Sequence, residues 1–97
     1  MARGYLIANA AVSDAGAYEG YKKLAAAAIA QYGGRYMVRG GAIEELEGKW
    51  AGAPRVVIVE FDSVDQARKV YDSPEYRAAR EAREGAADMN MLVVEGI

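Results

Sequence analysis

The chain has 97 residues, of which 53% are hydrophobic, and its 12 Lys and Arg against 14 Asp and Glu give a formal net charge of −2 at pH 7. This length predicts one domain over residues 1–97, and the charge argues against nucleic-acid binding, which usually needs a basic field. Neither cysteine nor histidine is present, so we expect no metal, no haem and no other cofactor, because the commonest ligands and the commonest general base are missing.

The first predicted elements are a strand and an amphipathic helix. Gly4–Val12 is an apolar stretch followed by turn residues, which is typical of a strand. Ser13 or Asp14 then caps a helix that runs to about Tyr32. Its core-facing residues recur at spacings of three and four: Tyr18, Tyr21, Ala25, Ala28 and Tyr32, with Leu24 and Ile29 beside them. The glycines at 33 and 34 end the helix.

The second half of the chain predicts three more strands and a further helical region. Arg35–Arg39 and Arg55–Phe61 are predicted strands, and residues 42–46 are a candidate extension of the hairpin between them. Gly48, Gly52 and Pro54 mark this connection. The remaining predicted elements are a helix over Val64–Asp72 with Ser63 and Gln66 as a capping box, a helix over residues 74–84 behind Ser73-Pro74, and a strand over residues 89–95.

This order of elements predicts the fold class. Strand, helix, strand, strand, helix, strand is the βαββαβ order of an α+β, ferredoxin-like sandwich. In that fold a four-stranded antiparallel sheet carries its helices on one face.

The predicted strands are apolar on both sides, which indicates that a second copy of the chain covers the sheet. An antiparallel sheet with one wet face should alternate apolar and polar residues. The apolar segments are residues 5–8, 56–59 and 91–94. Two sheets packed face to face as a homodimer, a dimeric α/β barrel, would leave no large apolar patch in water. Trp50 is a candidate for this dimer interface, or alternatively for closing a pocket.

These motifs together cover the whole chain. They are the residues 5–9 strand, Asp14 with Tyr18 and Tyr21, and the segments 32–35, 39–41, 47–50, 58–63, 71–76 and 93–96. In this order the chain resembles the domain-of-unknown-function 1330 family of the dimeric α/β-barrel superfamily, with Ala15 where relatives often carry proline. The resemblance implies the fold and the dimer. Related branches include cofactor-free monooxygenases, haem-dependent enzymes that use a histidine on iron, and isomerases, and fold-level analogy to them says little about function.

The predicted topology gathers several polar residues at one end of the domain. Asn9, Tyr18, Arg39 and Tyr76 are predicted to share a cleft between helices and sheet, together with Met91. There Arg39 would grip a carboxylate or enolate, the tyrosines would donate hydrogen bonds, and Asn9 would orient a carbonyl. The alternative is structural, with tyrosines in the core and Arg39 paired to an acid.

The role of one other side chain, Glu60, and the function of the protein each have two interpretations on the sequence. Glu60 is either a base with a raised pKa or, more in keeping with its place at a strand end, a structural ion-pair partner. The first function is binding of a small apolar or acidic ligand in the cleft. The second is a cofactor-free monooxygenase or isomerase acting on an activated aromatic or enolisable substrate. With no apolar run near the ~20 residues that span a bilayer, we expect no membrane contact and a cytoplasmic protein.

Overall fold

The computed structural model of the protein describes residues 2–50 and 55–97. Within these residues the chain forms four strands and three helices in the order βαββααβ. Their bounds are β1 Gly4–Val12, α1 Ala15–Gln31, β2 Arg35–Arg39, β3 Arg55–Phe61, α2 Val64–Asp72, α3 Pro74–Ala82 and β4 Ala87–Glu95. The predicted α+β ferredoxin-like class is confirmed.

The strands form one antiparallel sheet in the order β2-β3-β1-β4. Side chains alternate between its two faces, so the buried residues of β1 are every second one, from Gly4 to Ala10. Their partners Val59 and Phe61 in β3 are fully buried with them under the helices. This face of the sheet, with the helices on it, holds the core.

The local sequence signals for the helix starts are visible as hydrogen bonds. Asp14 Oδ1 accepts from Ala17 N at 3.1 Å, and Ser63 Oγ accepts from Gln66 N at 3.1 Å. The Gln66 side chain does not close the predicted capping box, because its Nε2 donates instead to the Tyr32 carbonyl at 2.8 Å. It thereby ties the start of α2 to the end of α1.

The structure differs from the sequence predictions at three places. Residues 42–46 form no strand. α3 ends at Ala82 and β4 begins at Ala87, each two residues earlier than predicted. The reason lies in the turn between them, where the carbonyl of the buried Ala86 accepts from Ser13 N at 2.8 Å and from Asp14 N at 3.1 Å. These bonds hold Ala86 beside the end of β1, so the pairing of β4 with β1 begins at Ala87. Gly52 and Pro54 lie outside the described residues.

The second face of the sheet, which we call the open face, carries apolar side chains that no described helix covers. Leu92 is 55% exposed and Val94 is 45% exposed in β4, and they lie beside Ile7 and Tyr5 of β1. The strands are therefore apolar on both sides, as the sequence suggests. None of the helices in the described ranges has the length and apolar content needed to cross a membrane.

Candidate functional site

A small cavity lies between α1, α3 and the helix-covered face of the sheet. Its volume is about 30 Å³, which is room for about two water molecules. The walls come from every strand and from two helices. The lining residues are Leu6, Ala8, Tyr18, Tyr21, Lys22, Ala25, Tyr36, Arg39, Arg55, Val57, Tyr76, Met89 and Met91.

Three of the four predicted ligand-binding residues line this cavity. Tyr18 faces it from α1, Tyr76 from α3 and Arg39 from the end of β2, and the predicted neighbour Met91 lies there too. Asn9 does not, because it alternates with the buried Ala8 and Ala10 and therefore points to the open face. The predicted grouping of Asn9 with the other three is thus wrong, since being at the same strand end does not put residues on the same face.

A β-bulge determines the position of Arg39. Tyr36 pairs with Val59, but the next pair is Val38 with Ile58, so the register shifts around Met37. Without this extra residue, Arg39 would have the opposite orientation to Tyr36 and would face the open side. With it, both residues face the helices, and the Arg39 guanidinium lies 4.4 Å from the centroid of the Tyr36 ring.

Two buried tyrosines form the polar end of the cavity. The hydroxyls of Tyr21 and Tyr76 are 2.5 Å apart, and Tyr76 also donates weakly to Met91 Sδ at 3.6 Å. Arg83 Nη1 donates to the Tyr76 hydroxyl at 3.5 Å. Burial and the neighbouring Tyr76 raise the pKa of Tyr21 well above its ordinary range, and burial raises the pKa of Tyr76. Both phenols therefore stay protonated at neutral pH and act as donors.

Cations surround the other end of the cavity. Lys22 is paired with Glu19 at 2.7 Å, whereas Arg39 and Arg55 each lie over a tyrosine ring. Sequence reasoning placed Tyr21 in the core stripe but did not assign Tyr21, Tyr36, Lys22 or Arg55 to the cleft. The pairing registers of β3 with β2 and with β1 would have identified Tyr36 and Arg55, respectively, and no sequence signal for the bulge was visible.

The open face has its own contacts around Trp50. Its Nε1 donates to Asn9 Oδ1 at 2.8 Å, and its backbone N–H donates to Glu45 Oε2 at 2.8 Å. These bonds hold the segment after β2 against β1, with Trp50 still 53% exposed. A shallow depression of about 360 Å³ lies here, lined by Ile43, Glu44, Glu45, Leu46, Glu47, Trp50 and Val56.

Glu60 also lies on the open face, at the centre of an ion-pair network. Tyr5 Oη donates to it at 2.9 Å and Arg35 Nε at 3.1 Å, and Arg3 lies 3.7 Å away. These hydrogen bonds lower the pKa of Glu60, which is the opposite of what a general base at neutral pH requires. The structural alternative for Glu60 fits this geometry.

Among the residues that the structure describes, no group of three or more acidic side chains is arranged to hold a metal ion.

Comparison with known proteins identifies a family whose model matches the chain, and also several solved structures with a similar fold. The model of the family described as "Domain of unknown function (DUF1330)" matches residues 3–97. The solved structure of RPA0582, a protein of unknown function from Rhodopseudomonas palustris, has a TM-score of 0.78 at 20% identity and covers 99% of this chain and 83% of that one. No curated protein sequence matches the chain.

Two further solved structures are less similar. SnoaB, a cofactor-independent oxygenase from Streptomyces nogalater, has a TM-score of 0.64 at 13% identity and covers 97% of this chain and 92% of that one. A dimeric protein of unknown function and ferredoxin-like fold from Bacteroides fragilis NCTC 9343 has a TM-score of 0.63 at 15% identity, covering 96% and 95%. At such identities the likeness shows a shared fold.

Proposed function

The chain belongs to the family of the domain of unknown function 1330, and from that premise we propose that it works as a homodimer that binds a small molecule in the helix–sheet cavity. The observation that carries the ligand site is the convergence of polar groups on one small cavity. Arg39 and the tyrosines Tyr18, Tyr21 and Tyr76 all line it, while Leu6, Val57 and the methionines supply apolar walls. A few polar groups set in an apolar lining are typical of small-molecule sites.

The size of the cavity limits how a ligand enters. Space for about two waters is too little for a ring-sized molecule, so side chains at the rim must move. Arg39 is exposed and Lys22 is half-buried, and both are long and flexible. We therefore expect these two side chains to rearrange on binding while the buried tyrosines stay in place.

The open face supports the dimer. Its apolar residues include Ile7 and Ile58 at the centre and Leu92 and Val94 on the outer strand. Soluble monomers rarely leave so continuous an apolar patch in water. Some structural neighbours are described as dimeric ferredoxin-like proteins. The Trp50 side chain, held over Asn9 at the same face, is the aromatic residue that we expect at the contact.

Native mass spectrometry and an NMR titration test both parts of this proposal. We expect the purified protein to have the mass of a dimer, and benzyl alcohol to shift the amide signals of Tyr18, Val57 and Met91 in a saturable manner. A monomer at micromolar concentration would contradict the dimer. Shifts confined to residues outside the cavity, or no saturable shifts, would contradict the ligand site.

A second candidate is a cofactor-free oxygenase, and the protonated Tyr21–Tyr76 pair is the observation that favours it. The Tyr76 proton points to a sulfur, which is a weak acceptor, and is thus free to stabilise an enolate. A neighbour of the same fold is described as a cofactor-independent oxygenase. In this reading the substrate brings its own reactivity toward dioxygen.

Anthrone is a suitable probe because its methylene group enolises readily. One anthrone and one dioxygen would give one anthraquinone and one water. The methylene carbon loses a proton on enolisation and forms a C–O bond with dioxygen, and the resulting peroxide takes up a proton. The hydroperoxide carbon then loses its remaining hydrogen as a proton while the O–O bond breaks, and this proton and the departing hydroxide leave as water. We expect Tyr76→Phe to lower protein-dependent oxygen uptake at least about tenfold. Uptake equal to that of buffer alone would exclude the oxygenase.

A further inference from the structure

Arg55 occupies an unusual place in the cavity wall. It is the first residue of β3, pairs with the buried Ala10 of β1, and so faces the helices. Its guanidinium lies 5.8 Å from the centroid of the Tyr18 ring. On its other side is the backbone of Gly40, directly after the end of β2. The cationic group is therefore held between an aromatic ring and main chain at the edge of the cavity.

Arg55 forms no salt bridge with the carboxylates of residues 2–50 and 55–97. Its Nε is buried and makes no hydrogen bond there. The pKa of Glu19 is lowered mainly by its hydrogen bond to Lys22 and to a lesser extent by the charge of Arg55, so Glu19 is already paired with another cation. At the same cavity Lys22 is paired with Glu19. Arg80 Nε is likewise buried without a hydrogen bond, but Arg80 does not line the cavity and its Nη1 donates to the Tyr71 hydroxyl at 3.0 Å. A buried polar atom without a hydrogen-bond partner is costly, so the Arg55 Nε, which has none among the described residues, is suited to bind an acceptor that enters the cavity.

The backbone at Gly40 is shaped to admit this guanidinium. Gly40 has a φ of +70° and donates through its N–H to the Val56 carbonyl at 2.9 Å, which fixes it beside β3. A methyl group at this position would overlap Arg55 Nη1. Glycine is thus needed here both for the left-handed conformation and for the space that the arginine fills.

We propose that the ligand of this cavity is a small carboxylate with an apolar body, and that Arg55 is the residue that binds its carboxylate. A guanidinium can donate two parallel hydrogen bonds to the two oxygens of a carboxylate. Arg55 is partly buried and Arg39 is exposed, so the attraction between guanidinium and carboxylate is less screened by water at Arg55. The apolar walls, among them Leu6, Val57 and Met89, suit an aromatic or short aliphatic body. This inference rests on the proposed function and names the class of its ligand.

The test compares benzoate with benzyl alcohol, which has the same ring but no charge, by NMR titration of the full-length protein. We expect wild-type protein to bind benzoate at least about tenfold more tightly, since a charge-assisted hydrogen bond in a partly buried site has roughly this effect. Arg55→Gln should remove that preference, because it should weaken benzoate binding much more than benzyl alcohol binding. Arg68→Gln, in the exposed part of α2, is the matched control and should behave as wild type.

The possible results separate the two proposals. Equal affinity for both molecules in wild type would overturn the carboxylate assignment and leave the ligand site standing. A benzoate preference that survives in Arg55→Gln would overturn the role of Arg55. Failure of both molecules to bind would overturn the ligand site and this inference with it. Should Arg55→Gln unfold, Arg55→Lys keeps the charge without the paired geometry, and we expect it to keep only part of the preference.

Discussion

The hydroxyl oxygens of Tyr21 and Tyr76 lie 2.5 Å apart and join the middle of α1 to the start of α3 beside the cavity. Each ring is buried, and the two meet edge to face with centroids 6.2 Å apart. The same pair therefore contributes to the packing of the two helices and presents a hydrogen-bond donor to the cavity. Its structural and functional contributions can be separated by substitution.

The stability losses from removing the two hydroxyls of this pair should not be additive. Tyr21→Phe or Tyr76→Phe leaves a buried partner without its hydrogen bond, which costs about 1–3 kcal/mol of unfolding free energy. In the double variant neither orphaned hydroxyl remains, so we expect a loss smaller than the sum of the two singles. Urea denaturation followed by circular dichroism measures all three.

Tyr32→Phe is the control for this cycle, because the hydrogen bonds that the Tyr32 hydroxyl makes among the described residues are long, at 3.4 and 3.5 Å to Glu75. Its change in stability should stay within about 0.5 kcal/mol. Additive losses in the double variant would mean that the two hydroxyls do not depend on each other.

Two glycines near and in α1 should respond to alanine with opposite signs. A Cβ at Gly34 would lie 2.6 Å from Ile29 Cγ2 and 2.7 Å from Phe61 Cε1, both in the core, so Gly34→Ala should destabilise by about 1–3 kcal/mol. Nothing described lies within 4 Å of such an atom at Gly20, in the helix interior. Gly20→Ala should stabilise by roughly 0.5–1 kcal/mol. Thermal unfolding measures both, and equal signs would contradict the packing at Gly34.

The elements could be predicted from the sequence because their signals are local. Asp14, Ser63 and Ser73 each cap a helix where the pattern indicates, and the spacing of Tyr18, Tyr21 and Ala25 gives the buried side of α1. These features depend on a few neighbouring residues.

The site could be predicted only in part, because it depends on which face of the sheet each strand residue occupies. Asn9 and Arg39 were assigned to the cleft from their strand ends alone. Arg39 reaches it only through the bulge at Met37, a feature of the pairing between β2 and β3, and Asn9 points away. Pairing register is a long-range property, and a shift of one residue reverses every side chain after it.

The hydrogen bonds at Glu60 predict a pH-dependent contribution to stability. The bonds from Tyr5 and Arg35 hold the pKa of Glu60 below its ordinary value in the folded chain. Because the pKa of Glu60 is lower in the folded than in the unfolded chain, Glu60 stabilises the fold fully at pH values above its unfolded pKa of about 4.3. This contribution to the free energy of unfolding is lost as the pH falls through the pKa of Glu60 in the folded chain. Wild type should therefore be more stable than Glu60→Gln at pH 7, and the gap should narrow as the pH falls below about 4.3.

Urea titrations of both proteins between pH 7 and pH 3 measure this gap. Asp65→Asn, an exposed acid in the first turn of α2, controls for the general loss of carboxylate charge. A constant gap across this range would show that Glu60 stabilises the fold in a way that does not depend on its charge.

A charge on the open face should break the proposed dimer without unfolding the chain. Leu92 is 55% exposed in the single chain and pairs with Ile7, so Leu92→Glu is tolerated by a monomer, but in a dimer it would bury an unpaired carboxylate. We expect its dimer dissociation constant to rise at least about tenfold in analytical ultracentrifugation. Leu24→Glu, at a position 43% exposed on α1, places the same charge on the helix side and should leave the dimer unchanged. A Leu92→Glu variant that stays dimeric would contradict association of the subunits through the open face. If Leu24→Glu dissociates and Leu92→Glu does not, the subunits associate through the helices instead.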